Sequence, residues 1–298
     1  MSGYFDIRTL SFVSGVIAGT LWCCMLFVAR TQKVYPGFRQ WTFASLSYGI
    51  GMILLSLRDI LPGWLTIVVA NLLIIIFFVM IASGLIEFVG GRKKVWLDVV
   101  PIAVVAATFL YFTYHSPDVS ARIVIISFLI AVLCARSALI IYRCVPSILA
   151  GTNWVLLASL ILMGGWFLGR SVLTLVFENQ IEDFMSASVY QGLTFTVNVV
   201  GNIMLITGLI IINAQRLEHD LFKARAQVKS LTGLLPICSS CKKIRDDRGC
   251  WQDVAVYVRD RSEAEFSHGL CPECMERLYP EYAQRLREQA SMGEQSEM

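Results

Sequence analysis

From Trp64 to Ile86 the chain reads WLTIVVANLLIIIFFVMIASGLI, 23 residues without a charge. At 1.5 Å per residue such a helix rises about 34 Å, enough to cross a hydrocarbon core of roughly 30 Å. In lipid only a helix or a closed barrel satisfies its own backbone, so this stretch reads as a membrane-spanning helix. Six more apolar stretches of about this length flank it: Leu10 to Ala29, Gln40 to Leu57, Val95 to Tyr114, Ala121 to Tyr142, Asn153 to Phe177 and Ala187 to Asn213. The pattern predicts an all-α polytopic membrane protein whose residues 1–213 form a domain of seven transmembrane helices. The composition agrees, because the 298 residues are 56% hydrophobic and only 16% charged, whereas soluble domains carry about 25% charge. The first stretch is full length, lacks a basic leader and runs into Arg30, so it reads as a retained helix and not as a cleaved signal.

Basic residues in short loops set the orientation, since they resist translocation. Arg30, Lys33 and Arg39 fill the first loop, Arg92, Lys93 and Lys94 the third, Arg143 the fifth, and Arg216, Lys223, Arg225 and Lys229 follow the seventh helix. The opposite side has Arg8, the Arg58/Asp59 and Asp118/Arg122 turns, and an acidic loop with Glu178, Glu182 and Asp183. This alternation predicts an outside N-terminus and a cytoplasmic C-terminus. Trp41, Trp64, Trp96 and Trp154 fall near helix starts, where amphipathic rings favour the lipid interface.

Polar residues within such helices are costly and mark candidate sites. Asn71 and Arg170 each lie seven residues from the outer end of their helices, about 10 Å below the surface. Gln191, Asn198 and Asn202 share one face of the seventh helix, at i, i+7 and i+11. Together these five residues are candidates for an outer-half ligand pocket. The competing reading is interhelical hydrogen bonding, with Arg170 reaching towards the interface. Arg136, near the cytoplasmic end of the fifth helix, reads as snorkelling. A transporter would be expected to show paired repeats with broken helices, and none is visible.

Beyond Asn213 the chain changes character: residues 214–298 carry 13 Lys and Arg against 14 Asp and Glu. A nearly neutral soluble part lacks the broad basic face of a nucleic-acid binder, so no nucleic-acid partner is expected. Leu217, Leu221, Ala224, Val228, Leu231 and Leu235 follow at alternating spacings of four and three, a heptad seam. Residues 214–235 are therefore expected to form a juxtamembrane coiled-coil helix joining two copies of the chain. One amphipathic helix lying on its own chain or on membrane lipid is the simpler alternative.

The next segment, 236–290, is a cysteine module. Of nine cysteines, Cys23, Cys24, Cys134 and Cys144 lie in apolar helices and read as small apolar residues. Cys238-Ser-Ser-Cys241 and Cys271-Pro-Glu-Cys274 form two C-x2-C pairs, with His268 just before the second. In a reducing compartment paired C-x2-C turns read as metal ligands before disulfides, and zinc, ahead of iron, suits four thiolates in a tetrahedron. His268 makes a fifth candidate, either replacing one cysteine as fourth ligand or bonding a thiolate from outside the shell. Cys250 reads as a turn or packing residue. Pro272 suits the first turn of a helix running on through MERLYPEYAQRLREQ. Trp251, Val254, Tyr257, Val258, Phe266, Leu278 and Tyr279 are the expected small core, and residues 291–298 a frayed tail. Dithiol redox chemistry is the rival for the C-x2-C pairs, though a thioredoxin-like site needs a larger framework.

The stretches LPICSSCKKIRDD (from Leu235), Gly249-x-Trp251 and AEFSHGLCPEC (from Ala264) resemble the Cys-rich C-terminal module found after PAS domains, receiver domains and membrane sensors of bacteria. More loosely, Asp6-x-Arg8-Thr-Leu, Pro36-Gly-Phe-Arg-x-Trp41 and the Arg58 to Pro62 turn are similar to the multi-helix sensor regions preceding diguanylate cyclases and histidine kinases. Here no GGDEF-type loop, kinase ATP motif or Walker sequence accompanies them, so the enzymatic output of those proteins does not carry over. The resemblance implies a bacterial inner-membrane signalling protein, not an enzyme, that relays a stimulus through a dimeric helix to a zinc module contacting an unknown cytoplasmic partner. A cytoplasmic metal or thiol-redox sensor anchored by the membrane half is the alternative, and a transporter a third.

Overall fold

Asp6 opens the first helix: its carboxylate accepts the backbone N–H groups of Arg8 and Thr9, satisfying donors that a helix start leaves free. The computed structural model describes residues 6–145, 153–177, 189–227, 235–246, 248–261, 265–267 and 269–285. They divide into two units, Met1–Phe222 and Lys223–Met298.

In the first unit α1 (Ile7–Thr31) and α2 (Phe38–Ser56) are followed by α3 (Ala70–Phe88), which is preceded by a π-helical turn at Trp64–Val69. Then come α4 (Trp96–Leu110), continued by a second π-helical turn at Tyr111–His115, α5 (Val119–Cys144), α6 (Trp154–Phe177) and α7 (Val189–Gln227). Six of these helices, all but α2, are long and apolar enough to cross a membrane, which is the architecture of a multi-pass helical membrane protein.

The exception has a physical reason. α2 packs against both α1 and α3, so Thr42, Ser45, Tyr48 and Ser56 are buried against protein. Ser45 donates to Ala18 O at 3.2 Å and Ser47 to Leu73 O at 2.9 Å, the small-residue and hydroxyl contacts by which helices associate in lipid. Where the α1–α2 loop meets α3, Gly37 adopts φ +93° and stands so close that a Cβ there would lie 2.1 Å from Gly84 O. Only glycine meets both demands. The core continues from this contact through Phe38, Trp41, Tyr48, Phe77, Phe78 and Phe88.

Trp41 therefore departs from its expected interfacial place. It is fully buried and donates Nε1–H to Ile81 O, whereas Trp64, Trp96 and Trp154 are exposed as an interface ring would be. Arg136 departs too. Pro101, inside α4, has no N–H to offer the Leu97 carbonyl four residues back. Arg136 Nη1 reaches across from α5 to that carbonyl at 3.2 Å and to Asp98 at 3.1 Å. It is a helix-to-helix clamp, not a snorkelling end.

α7 runs unbroken over 39 residues, about 58 Å, past the expected domain boundary at residue 213. Of the heptad seam, Leu217 packs against the core of the first unit while Leu221 is exposed. Val228 and Leu231 lie outside the described residues, as do Glu178, Glu182 and Asp183.

The second unit is small. β1 (Ile244–Arg245) pairs antiparallel with β2 (Trp251–Gln252), joined by a turn in which Asp246 Oδ1 accepts from Arg248 N and Cys250 N and Gly249 takes φ +83°. α8 (Val254–Arg261) and α9 (Pro272–Leu278) follow. The expected longer helix breaks at Tyr279 and resumes at 280–285, because Pro280 cannot donate and disfavours helical backbone before it. Of the expected core only Tyr257 is buried; Trp251, Phe266, Leu278 and Tyr279 are exposed, and Ile244 and Ala283 are buried instead.

Candidate functional site

At the end of the bundle that carries the α2–α3 turn, side chains from every helix from α2 to α7 surround a cavity. It leaves about 80 Å³ for the centres of water-sized groups, several times what one water requires. Asn71, Arg170 and Asn198, three of the five sequence candidates, line it together. Asn71 Nδ2 donates to Ile67 O at 2.6 Å and Asn198 Nδ2 to Thr194 O at 3.0 Å, which leaves their amide oxygens for other partners. Gln191 lines a second cavity beside it with Trp166 and Tyr190, and Arg170 borders both. Asn202 lines neither; it is buried, and its Oδ1 has no hydrogen-bond partner among the described residues.

The cavity also holds residues that the sequence reading left in loops or in the core. Arg58 follows α2 and Arg122 sits in the first turn of α5, so with Arg170 three arginines line one space. Among the described lining residues none is Asp or Glu. Arg122 is buried and donates only to neutral oxygens, Asp118 O at 3.3 Å and Thr113 Oγ1 at 3.0 Å. The nearby Asp118 carboxylate accepts the N–H of Ala121 at the start of α5 and attracts Arg122, while Arg58 is near enough to repel it. Tyr48 and Thr66 line the same cavity, both buried, and neither hydroxyl has a hydrogen-bond partner among the described residues. A buried hydroxyl without a partner costs about 1–3 kcal/mol. Thr66 owes its place to the π-helical turn, a local widening common at functional sites.

The opposite end of the bundle holds α7 by a polar latch. Tyr35 N donates to Asn213 Oδ1 at 3.1 Å and its hydroxyl to Asp220 at 2.5 Å. The Arg216 guanidinium lies over the rings of Tyr35 and Phe88, 4.3 and 4.9 Å from their centroids, and donates to Phe88 O. Burial and the Asp220 carboxylate push the Tyr35 phenol up to about 12, so at physiological pH it is always the donor.

In the second unit each C-x2-C pair forms a turn around its first thiol. Lys242, at φ +59°, closes the first turn by donating to Cys238 O at 3.0 Å. Backbone N–H groups of Cys241, Ser240 and Lys242 aim at the Cys238 sulfur and hold its thiol below the ordinary range; those of Cys274 and Glu273 do the same for Cys271. Cys274, hydrogen-bonded to Cys271 and facing its charge, is pushed up. Thiolate character is what a metal requires of cysteine. Among the described residues no group of three or more His, Cys, Asp or Glu gathers; each turn presents its own pair, Cys238 with Cys241 and Cys271 with Cys274. His268 lies outside the described residues.

The chain matches no known family, no curated protein and no solved structure in sequence or fold comparisons.

Proposed function

We propose that the protein is a non-catalytic transmembrane signalling protein with seven spanning helices, α2 among them, an outside N-terminus and a cytoplasmic C-terminus in a bacterial inner membrane. The observation that carries this reading is the continuity of α7. One unbroken helix contributes Thr194 and Asn198 to the cavity, Asn213, Arg216 and Asp220 to the latch, and runs on to Gln227. A ligand that favours one packing of the cavity walls displaces this rod, and a rigid helix carries a small rotation or slide along its length. The Leu217–Leu235 seam then pairs two copies, and the zinc module, held by Cys238, Cys241, Cys271 and Cys274 with His268 as fourth ligand or thiolate partner, presents a surface to a cytoplasmic protein. Zinc supplies the stability that a unit with so few buried side chains lacks.

The test uses the full chain purified anaerobically, with Cys238→Ser and Cys271→Ser variants and cysteine crosslinking at Leu221 in membranes. About one tightly held zinc per chain, lost in both variants, together with a Leu221 crosslink, supports the relay; a folded metal-free chain that forms no dimer refutes it. A second reading rests on the geometry of the two C-x2-C turns, which aim backbone N–H groups at the sulfurs of half-buried Cys238 and exposed Cys271: a metal or thiol-redox sensor anchored by the membrane unit. Reversible oxidation of those thiols in a folded, metal-free chain favours it.

A further inference from the structure

Resting on the reading of the first unit as a sensor, we infer that its cavity binds a small neutral alcohol, whose hydroxyl donates to the amide oxygen of Asn198 and accepts from the hydroxyl of Tyr48.

The polar groups of the wall select the head. Asn198 is buried, and its Nδ2 donates to Thr194 O at 3.0 Å. A carbonyl can only accept, so the amide nitrogen must face it, and Oδ1 is turned away with no partner among the described residues. Asn71 repeats the arrangement on Ile67 O, but it is only half-buried. The Tyr48 and Thr66 hydroxyls are buried in the same wall and have no partner among the described residues either. Buried polar groups are nearly always hydrogen-bonded, so this wall is built for a group that arrives from outside the chain. The amide oxygen needs a donor, and the phenol has a proton to give. A hydroxyl head serves both, whereas a ketone serves only the phenol.

The charges of the wall exclude an ionic head. Arg122 donates to Asp118 O and Thr113 Oγ1 and is attracted by the Asp118 carboxylate. Arg58 and Arg170 have interactions of their own, so none of the three calls for a counter-ion. A cation would face all three, and either ion would have to shed its water to enter.

Size and lining select the body. Ile74, Phe109, Ile126, Ile130 and Phe167 make the rest of the wall apolar. The space leaves about 80 Å³ for the centres of water-sized groups; one water takes about 10–15 Å³ by this measure, so roughly five to eight such groups fit. A glyceride or a long fatty chain is too large. An alcohol of hexanol's size places its carbons against the apolar wall, which water hydrates poorly, and its oxygen at the polar groups.

The experiment titrates the full chain in phosphatidylcholine nanodiscs with hexanol, butyl methyl ketone, hexanoate and hexylammonium, each referenced to empty nanodiscs. Binding is read by calorimetry, so the result does not depend on zinc, dimerisation or any downstream output, and a failed relay leaves it intact. We expect saturable binding of hexanol, with the ketone and both ions at least tenfold weaker, a difference of about 1.4 kcal/mol. Asn198→Leu is expected to weaken hexanol at least tenfold and to leave the ketone unchanged. Tyr48→Phe, which removes the donor that both share, should weaken the two together. The ketone or either ion binding as tightly as hexanol overturns the inference, as does unchanged hexanol affinity in a folded Asn198→Leu or Tyr48→Phe chain. A monodisperse wild-type chain that takes up no hexanol beyond empty nanodiscs also overturns it, leaving water as the cavity's occupant.

Discussion

Replacing Gly37 by alanine tests how the first unit is held together. The residue has φ +93° and ψ −29°, a backbone that costs an L-residue with a Cβ roughly 1–2 kcal/mol. The new Cβ would also lie 2.1 Å from Gly84 O and 2.9 Å from Gly84 C. Both atoms belong to backbone, so no side chain can swing away; the α1–α2 loop and α3 must separate. Overpacking of this kind costs about 1–3 kcal/mol, for a total of about 2–5 kcal/mol. At about 2–4 °C per kcal/mol for a unit of some 200 residues, the thermal midpoint should drop by roughly 4–20 °C. The assay is size-exclusion of heated, detergent-solubilised chain. Gly19→Ala, where nothing stands within 4 Å of the added Cβ, serves as the control and should match wild type or gain slightly from helix propensity. If Gly37→Ala melts with Gly19→Ala, the close approach to Gly84 does not govern stability and the reasoning fails.

Tyr35→Phe removes the hydroxyl that donates to Asp220, a bond to a charged group worth about 1.5–3 kcal/mol; a spin label at Ala224 should become more mobile, and an unchanged spectrum would show the latch to be idle. Asp98→Ala strips Arg136 of its charged partner, with both side chains about four-fifths buried, so we expect a loss of about 2–4 kcal/mol in thermal or denaturant unfolding. A double variant with Arg136→Met should recover most of that loss. Tyr48→Phe deletes a buried hydroxyl that no described residue satisfies; the chain should gain about 1 kcal/mol in stability, and a destabilised Tyr48→Phe chain would place a further protein partner on that hydroxyl.

Much of the helical layout was legible because lipid imposes one simple rule, a length of apolar residues that satisfies its own backbone. The rule weakens at α2, whose serines and glycines serve neighbouring helices and not lipid. Asn71, Arg170 and Asn198 could be picked out as a set because a polar residue is conspicuous in an apolar run. Arg58 and Arg122 could not, since a charge next to a turn looks the same whether it faces water or folds into a cavity. Tyr48 and Thr66 carried no signal at all, because hydroxyls are ordinary in membrane helices until their partners can be counted.

The amino-acid pattern by itself determined that this is a helical membrane protein, that a more highly charged segment follows the bundle, and that four of its cysteines come in two C-x2-C pairs, since hydropathy and residue spacing are local properties of the chain. Tertiary structure alone decided that Arg58, Arg122 and Arg170, from three separate elements, line one cavity, that Trp41 is core, that Arg136 clamps the carbonyl Pro101 leaves free, and that Tyr35 and Phe88 grip Arg216 on α7. Each of these depends on residues dozens to more than a hundred positions apart coming within a few ångströms, and no local pattern records which helices are neighbours.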